Sequence, residues 1–289
     1  MLKYLLAALL ALLPLAAEAQ PTRFTVTVEG SGPDVIMIPG LTSSRRVWDG
    51  AVASLGGRYR VHRLQIAGFG GEPAGPNALG GPILENVVAE FHAYIQANRL
   101  GRPMVVGHSV GGLIALILAA RHPDAVGRAM IVDALPYYGL MYGPNMPPAE
   151  VELSAATLRD AIEETSDEGW RAQQQATLPA LAANEAARPA LLEDSLRSDR
   201  RVVARVLYED FVTDMRPALP AMRTPLTILY AVNPVATEAR FGALMRASYA
   251  GAPDARLIPV EPSHHFIMLD QPDRFAALLT AFLTEAPPS

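Results

Sequence analysis

The sequence predicts an α/β fold: a mostly parallel central sheet flanked by helices, with a helical segment inserted in the second half of the chain. Three observations carry this. Short apolar, β-branched runs alternate with longer segments of helical period, the pattern of a parallel sheet covered on both faces. One such run, residues 104–108, leads through Gly107-His108-Ser109-Val110-Gly111 into a long Ala/Leu/Ile stretch, so strand, sharp turn and helix are contiguous. Between residues 134 and 222 the alternation stops and charged segments of helical period take over.

Taken in order, residues 1–19 read as a secretory signal. Lys3 supplies the positive start, residues 4–15 an apolar core too short for a comfortable membrane span, and Ala17-Glu18-Ala19 a small-x-small cleavage site. The expected mature chain starts at Gln20 and is exported, to the periplasm or the medium, with no stable membrane insertion afterwards; an uncleaved N-terminal anchor is the alternative. Residues 23–28 alternate in polarity and predict an edge strand, and residues 30–33 turn the chain. Residues 34–38 form a buried strand that stops at Pro39-Gly40-Leu41, where Thr42-Ser43-Ser44 offer caps for a helix through Trp48. Residues 59–65 are a further strand, the Gly/Pro-rich residues 68–81 a surface loop, and residues 83–98 an amphipathic helix.

The helix after Ser109 is apolar all round and ends at Arg121-His122-Pro123, so it belongs in the core. Residues 129–133 are a strand ending in an acid, Asp133. An irregular stretch follows, with Tyr137, Tyr138, Met141 and Tyr142 among Pro144, Pro147 and Pro148; helices are then expected over 151–164, 167–177 and 188–214. The sheet resumes at 224–230, followed by a helix over 238–250, a strand over 256–260 and a closing helix over 272–283 that opens on Pro272. The expected organisation is a core of residues 20–133 and 223–289 with a helical cap, residues 134–222, inserted into it.

Composition excludes several classes. There is no cysteine, hence no disulfide, thiolate nucleophile, Cys-based metal site or lipoprotein-type lipid attachment. Acidic residues outnumber basic ones, 29 to 24, and Lys/Arg form no clusters, which argues against nucleic acid or an anionic membrane as partner. His62, His92 and His122 sit in no ligand pattern, so no metal and no cofactor is expected. Oligomeric state is not legible.

The spacing Gly-x-Ser-x-Gly between strand and helix is that of a nucleophile elbow. The apical serine must take a strained backbone conformation, so its neighbours two positions away must be small enough for strand and helix to pass closely. The helix N-terminus then favours negative charge developing near the hydroxyl.

Together with this elbow, three features resemble the α/β-hydrolase fold superfamily in its capped, serine esterase-like form: the Pro39-Gly40-Leu41 loop, the inserted segment, and Ser263-His264-His265-Phe266 ahead of Leu269-Asp270-Gln271-Pro272. The resemblance covers essentially the whole mature chain. It implies Ser109 as nucleophile, His265 as general base, and the backbone N–H groups of Leu41 and Val110 as the oxyanion hole. Pro39 replaces the family's usual histidine, which does not matter if the Leu41 N–H is the working donor. His264 stands where a glycine is usual and reads as a loop histidine; His108 reads as an elbow neighbour at the substrate side that packs rather than reacts.

The family's usual acid position carries Asn233-Pro234 here, and an amide cannot stabilise an imidazolium as a carboxylate does. In some members, notably the haloalkane dehalogenases, the acid follows the preceding strand, two dozen residues past the nucleophile, where this chain has Asp133. The expectation is therefore Asp133 as the triad acid and Asn233 as a bystander; the other reading of Asp133 is a strand-end acid capping the next turn. A serine nucleophile speaks against dehalogenase and epoxide hydrolase chemistry, which use a carboxylate. What the resemblance implies is hydrolysis of small-molecule carboxylic esters of small to medium acyl chain, with Tyr137, Tyr138, Met141 and Tyr142 as candidate substrate contacts. Lactone, amide and C–C bond hydrolysis use the same three groups and stay open, as does a ligand-binding homologue that has lost turnover.

Overall fold

The computed structural model describes residues 21–285; the expected signal segment, residues 1–19, lies outside them. Seven strands form one sheet: β1 (Phe24–Glu29), β2 (Asp34–Ile38), β3 (Arg60–Ile66), β4 (Met104–His108), β5 (Arg128–Val132), β6 (Leu226–Ala231) and β7 (Arg256–Val260), in the order β1-β3-β2-β4-β5-β6-β7. Only β1 runs antiparallel, pairing Phe24 with Ile66 on β3; all other pairs are parallel. Parallel neighbours need helical crossovers, and the helices supply them. In chain order these are α1 (Asp49–Leu55), α2 (Ile83–Ala97), α3 (Val110–Arg121), α4 (Pro148–Glu164), α5 (Asp167–Leu181), α6 (Arg188–Leu196), α7 (Arg200–Val212), α8 (Ala243–Tyr249), α9 (Ile267–Asp270) and α10 (Pro272–Thr284).

The two-residue period of the strands sorts the core into two layers. Ile36, Ile38, Val105, Ile131 and Ile228 face α2, α3 and α8. Val35, Met37, Val106, Met130 and Leu229 face α1 and α10, where Phe275, Leu279 and Phe282 cover them. Every residue of α3 from Val110 to Ala119 is buried, as expected of a helix apolar all round. Among the described residues, no helix is long and apolar enough to cross a membrane.

α4 to α7 lie between β5 and β6, in the segment where the alternation fails. Three local expectations differ from the structure. Ser44 precedes a 3₁₀ helix, Arg45–Trp48, without capping it by its side chain; its hydroxyl donates instead to the Asp194 carboxylate of α6. Residues 68–81 are not simply a surface loop: Phe69 and Asn77 have no exposed surface, and the Asn77 amide donates to the carbonyls of Arg23 and Ala67. Residues 188–214 are two helices, not one, because Asp199 caps a new start by accepting from the N–H groups of Arg201 and Val202.

Candidate active site

β4 ends at His108 and α3 begins at Val110, leaving Ser109 at the apex with φ 54° and ψ −125°. This conformation strains a residue with a side chain, and the flanking glycines permit it. A Cβ on Gly107 would lie 2.2 Å from the Gly111 carbonyl oxygen, and one on Gly111 would lie 2.4 Å from that of Ile38. The elbow is tied to the sheet by the Ser109 N–H, which donates to the Val132 carbonyl at 2.9 Å. Over it passes the loop after β2, so closely that a Cβ on Gly40 would meet His108 Nδ1 at 2.8 Å and Ser109 Cβ at 3.1 Å. That contact brings the Leu41 backbone beside the first turn of α3. Among the described residues, neither the Leu41 nor the Val110 N–H donates to another backbone group, so both remain available to an anionic oxygen.

The loop after β7 delivers His265. Its Nδ1 lies 2.7 Å from Asp133 Oδ2, so Nδ1–H donates to the carboxylate and Nε2 is left for the cavity. Asp133, at φ 50°, holds its other oxygen against the Ala231 N–H at 2.8 Å. The carboxylate is thus fixed on both oxygens at the carboxyl ends of β5 and β6, where ligands of open parallel sheets bind. Ser109 Oγ has no hydrogen-bond partner among the described residues. It and His265 line one cavity, and serine–histidine contacts of this kind tighten when a substrate enters.

Asn233 is not part of this arrangement. Its Oδ1 accepts from the N–H groups of Val235 and Ala236, and its amide donates to the Ser263 carbonyl at 3.1 Å. That is the geometry of an Asx turn, which shapes the loop and leaves the imidazole alone. His264 turns away toward α5, with Nδ1 3.1 Å from the Pro179 carbonyl.

His108, expected among the substrate contacts, is among the residues lining the cavity beside Ser109, and it has no solvent-exposed surface. Burial holds its imidazole well below the usual histidine range, so it stays neutral and donates from Nε2 to the His265 carbonyl at 3.0 Å. It fixes the backbone of the neighbouring histidine. Of the four aromatic and Met candidates, Tyr138 alone lines the cavity. Tyr137 carries the Arg216 guanidinium over its ring, Tyr142 stacks on Phe211, and Met141 lies in a separate surface groove with Val235 and Phe241. The 3₁₀ turn Tyr138–Tyr142 sends its side chains in different directions, so adjacency in the chain did not translate into a shared pocket.

The cavity measures about 320 Å³, at the small end of ligand pockets, which span about 300–1,000 Å³. Most of its walls come from the inserted helices: Ile162 of α4, Trp170 and Leu178 of α5, and Val203, Leu207 and Asp210 of α7. None of these six is among the contacts expected from the sequence, and the last three carried a signal. Their spacing of four and then three residues marks one face of α7, and an acid on that otherwise apolar stripe was the visible signal.

The inserted helices are tied to the core at two acids. Glu209 of α7 accepts from the N–H groups of Ile83 and Leu84 at the start of α2, at 2.7–3.0 Å. Asp194 of α6 accepts from the Ser44 N–H at 3.0 Å, from the Ser44 hydroxyl, and from Arg46 at 2.6 Å. Its side chain is almost wholly buried. Asp194→Ala is expected to lower unfolding stability by about 2–3 kcal/mol, since buried donors lose a charged acceptor. It should also lower kcat, because the loop holding the Leu41 N–H loses an anchor. Denaturant unfolding and steady-state kinetics on the one variant check both.

Comparison with known proteins agrees with this architecture. The model of the alpha/beta hydrolase family matches residues 35–278. The pimeloyl-(acyl-carrier protein) methyl ester esterase of Chromobacterium violaceum is 27% identical over 258 residues, covering 88% of this chain and 95% of the relative. The N-formylmaleamate deformylase of Pseudomonas putida is 26% identical over 261 residues, covering 88% and 90%. Among solved structures, the enol-lactonase from Burkholderia xenovorans superimposes with a TM-score of 0.72 at 21% identity, over 91% of this chain and 96% of that one, a likeness of fold.

Proposed function

The chain belongs to the alpha/beta hydrolase family, and from that premise we propose that it is an exported serine hydrolase that cleaves carboxylic esters of small to medium acyl chain. The observation that carries the reading is the His265–Asp133 pair opening onto the cavity that Ser109 also lines. Similarity to an esterase along most of both chains supports the same chemistry.

In this reading His265 Nε2 takes the proton of the Ser109 hydroxyl as Oγ attacks the ester carbonyl. Asp133 holds the ring in the tautomer with Nδ1 protonated and stabilises the imidazolium that forms. The carbonyl oxygen becomes an oxyanion between the Leu41 and Val110 N–H groups, each donor worth about 3–4 kcal/mol in comparable sites. The tetrahedral adduct expels the alcohol, which takes its proton from His265. Water, deprotonated by His265, attacks the acyl-enzyme and releases the acid. The inserted helices act as a cap whose small, mostly apolar cavity limits chain length. The signal-like start of the chain supports export; mass spectrometry of the mature protein should find Gln20 at its N-terminus.

A fluorophosphonate probe tests the nucleophile. The peptide carrying Ser109 should gain the probe mass, Ser109→Ala should not, and kcat/KM on p-nitrophenyl esters should peak at short to medium acyl chains. An unlabelled wild-type protein, or a rate that climbs to the longest chains, overturns the reading. One relative is an N-formylmaleamate deformylase, so cleavage at an amide nitrogen is the second reading. Faster turnover of an anilide than of the matched phenyl ester would favour it.

A further inference from the structure

The cavity contains an acid that the hydrolytic reaction above does not use. Asp210, on the cavity-facing side of α7, lines the same space as Ser109 and His265. Its carboxyl has no hydrogen-bond or ion-pair partner among the described residues. No Lys or Arg lines the cavity, and the imidazole of His265 is already paired through Nδ1 with Asp133. Tyr138 and Trp170 stand on the same walls. Burial pushes the Asp210 carboxyl up to about 7, partly countered by His265, and burial with Asp210 nearby pushes the Tyr138 hydroxyl up to about 12. An acid kept in an apolar cavity without a partner is costly unless something that enters can pair with it.

Resting on the ester-hydrolase reading for its place in a reaction, we propose that Asp210, with the rings of Tyr138 and Trp170, forms a subsite for a primary ammonium group carried by the substrate. A carboxylate that shares a cavity with two aromatic rings is a combination that binds a desolvated cation: the carboxylate through charge-assisted hydrogen bonds, the ring faces through their quadrupoles. The same charge disfavours substrates that carry a free carboxylate into the cavity. The enzyme's preferred esters are then amino-functional, and plain aliphatic esters are surrogates.

Calorimetric titration of the full mature protein tests this without any turnover, so it can succeed or fail independently of the serine-hydrolase assignment. Straight-chain alkylammonium ions from propyl to octyl are compared with alkanols and alkanoates of the same length at pH 8.5, where a carboxyl titrating near 7 is ionised. The best alkylammonium ion should bind at least tenfold tighter than its alkanol and tighter still than its alkanoate. In Asp210→Asn, which keeps the shape of the side chain, that preference should fall to about twofold or less. Equal binding of ammonium and alkanol by the wild-type protein overturns the proposal whatever the variant does. So does an ammonium preference that survives in Asp210→Asn, and so does tighter binding of the alkanoates.

Discussion

Ser109→Gly is expected to lower kcat on an ester by about 10⁶ and, in the same protein, to raise stability. The first effect follows from removing the proposed nucleophile; losses of this size are measured when a triad serine is removed, the remainder coming from the oxyanion hole and binding. The second follows from the backbone. At φ 54° and ψ −125°, Ser109 sits where glycine is at ease and other residues are strained by about 1–3 kcal/mol. Glycine also loses more freedom on folding, by about 0.5–1 kcal/mol, so a net gain near 1 kcal/mol remains. In a domain of this size that is about 2–4 °C in Tm. Ser109→Ala supplies the contrast: equally inactive, but without the gain, because its Cβ meets the same hindrance. A glycine variant that melts below the wild type means that the elbow stores no strain. A glycine variant that still turns over means that the nucleophile lies elsewhere.

Asp133→Asn is expected to reduce kcat about 10⁴-fold, the loss that the same exchange causes in a serine protease. The shape of the side chain survives, and one oxygen can still meet the Ala231 N–H. What is lost is the acceptor at 2.7 Å from His265 Nδ1. An NH2 group in that place turns the imidazole to the wrong tautomer and leaves the developing imidazolium without a counter-charge. Asn233→Ala should keep kcat within about twofold. It should instead cost about 1 kcal/mol of stability, because the N–H groups of Val235 and Ala236 and the Ser263 carbonyl lose their partner. Steady-state kinetics and denaturant unfolding on the two variants separate the roles. An inactive Asn233→Ala protein beside an active Asp133→Asn one would reverse them.

Much of this site was legible because its parts are local. Gly107 is required by a contact within one strand–turn–helix unit and Gly111 by the close approach of Ile38 on β2, but both flank Ser109 at fixed spacing, so spacing alone exposes the elbow. Strand ends are legible from hydrophobic period, and Asp133 and His265 both follow strand ends. Cavity walls are not legible in this way. Tyr137, Tyr138, Met141 and Tyr142 are consecutive or nearly so, yet one 3₁₀ turn spreads them over the cavity, an Arg216 contact, a surface groove and the Phe211 ring. Ser44 has the residue type and position of a helix cap, but Asp194, 150 residues away, takes its hydroxyl.

By itself, then, the sequence determined the alternation of strand and helix, the strained serine between two glycines, the core helix behind it and the absence of thiol chemistry. Each of these depends on residues within a few positions of one another, or on composition. Only the tertiary structure decided which acid meets the imidazole, since Asp133 and His265 are 132 residues apart and Asn233 lies nearer in the chain but turns into its own loop. It also decided that Asp210 faces the cavity. Such pairings depend on how separate helices and strands pack around a common space, and no local period encodes that.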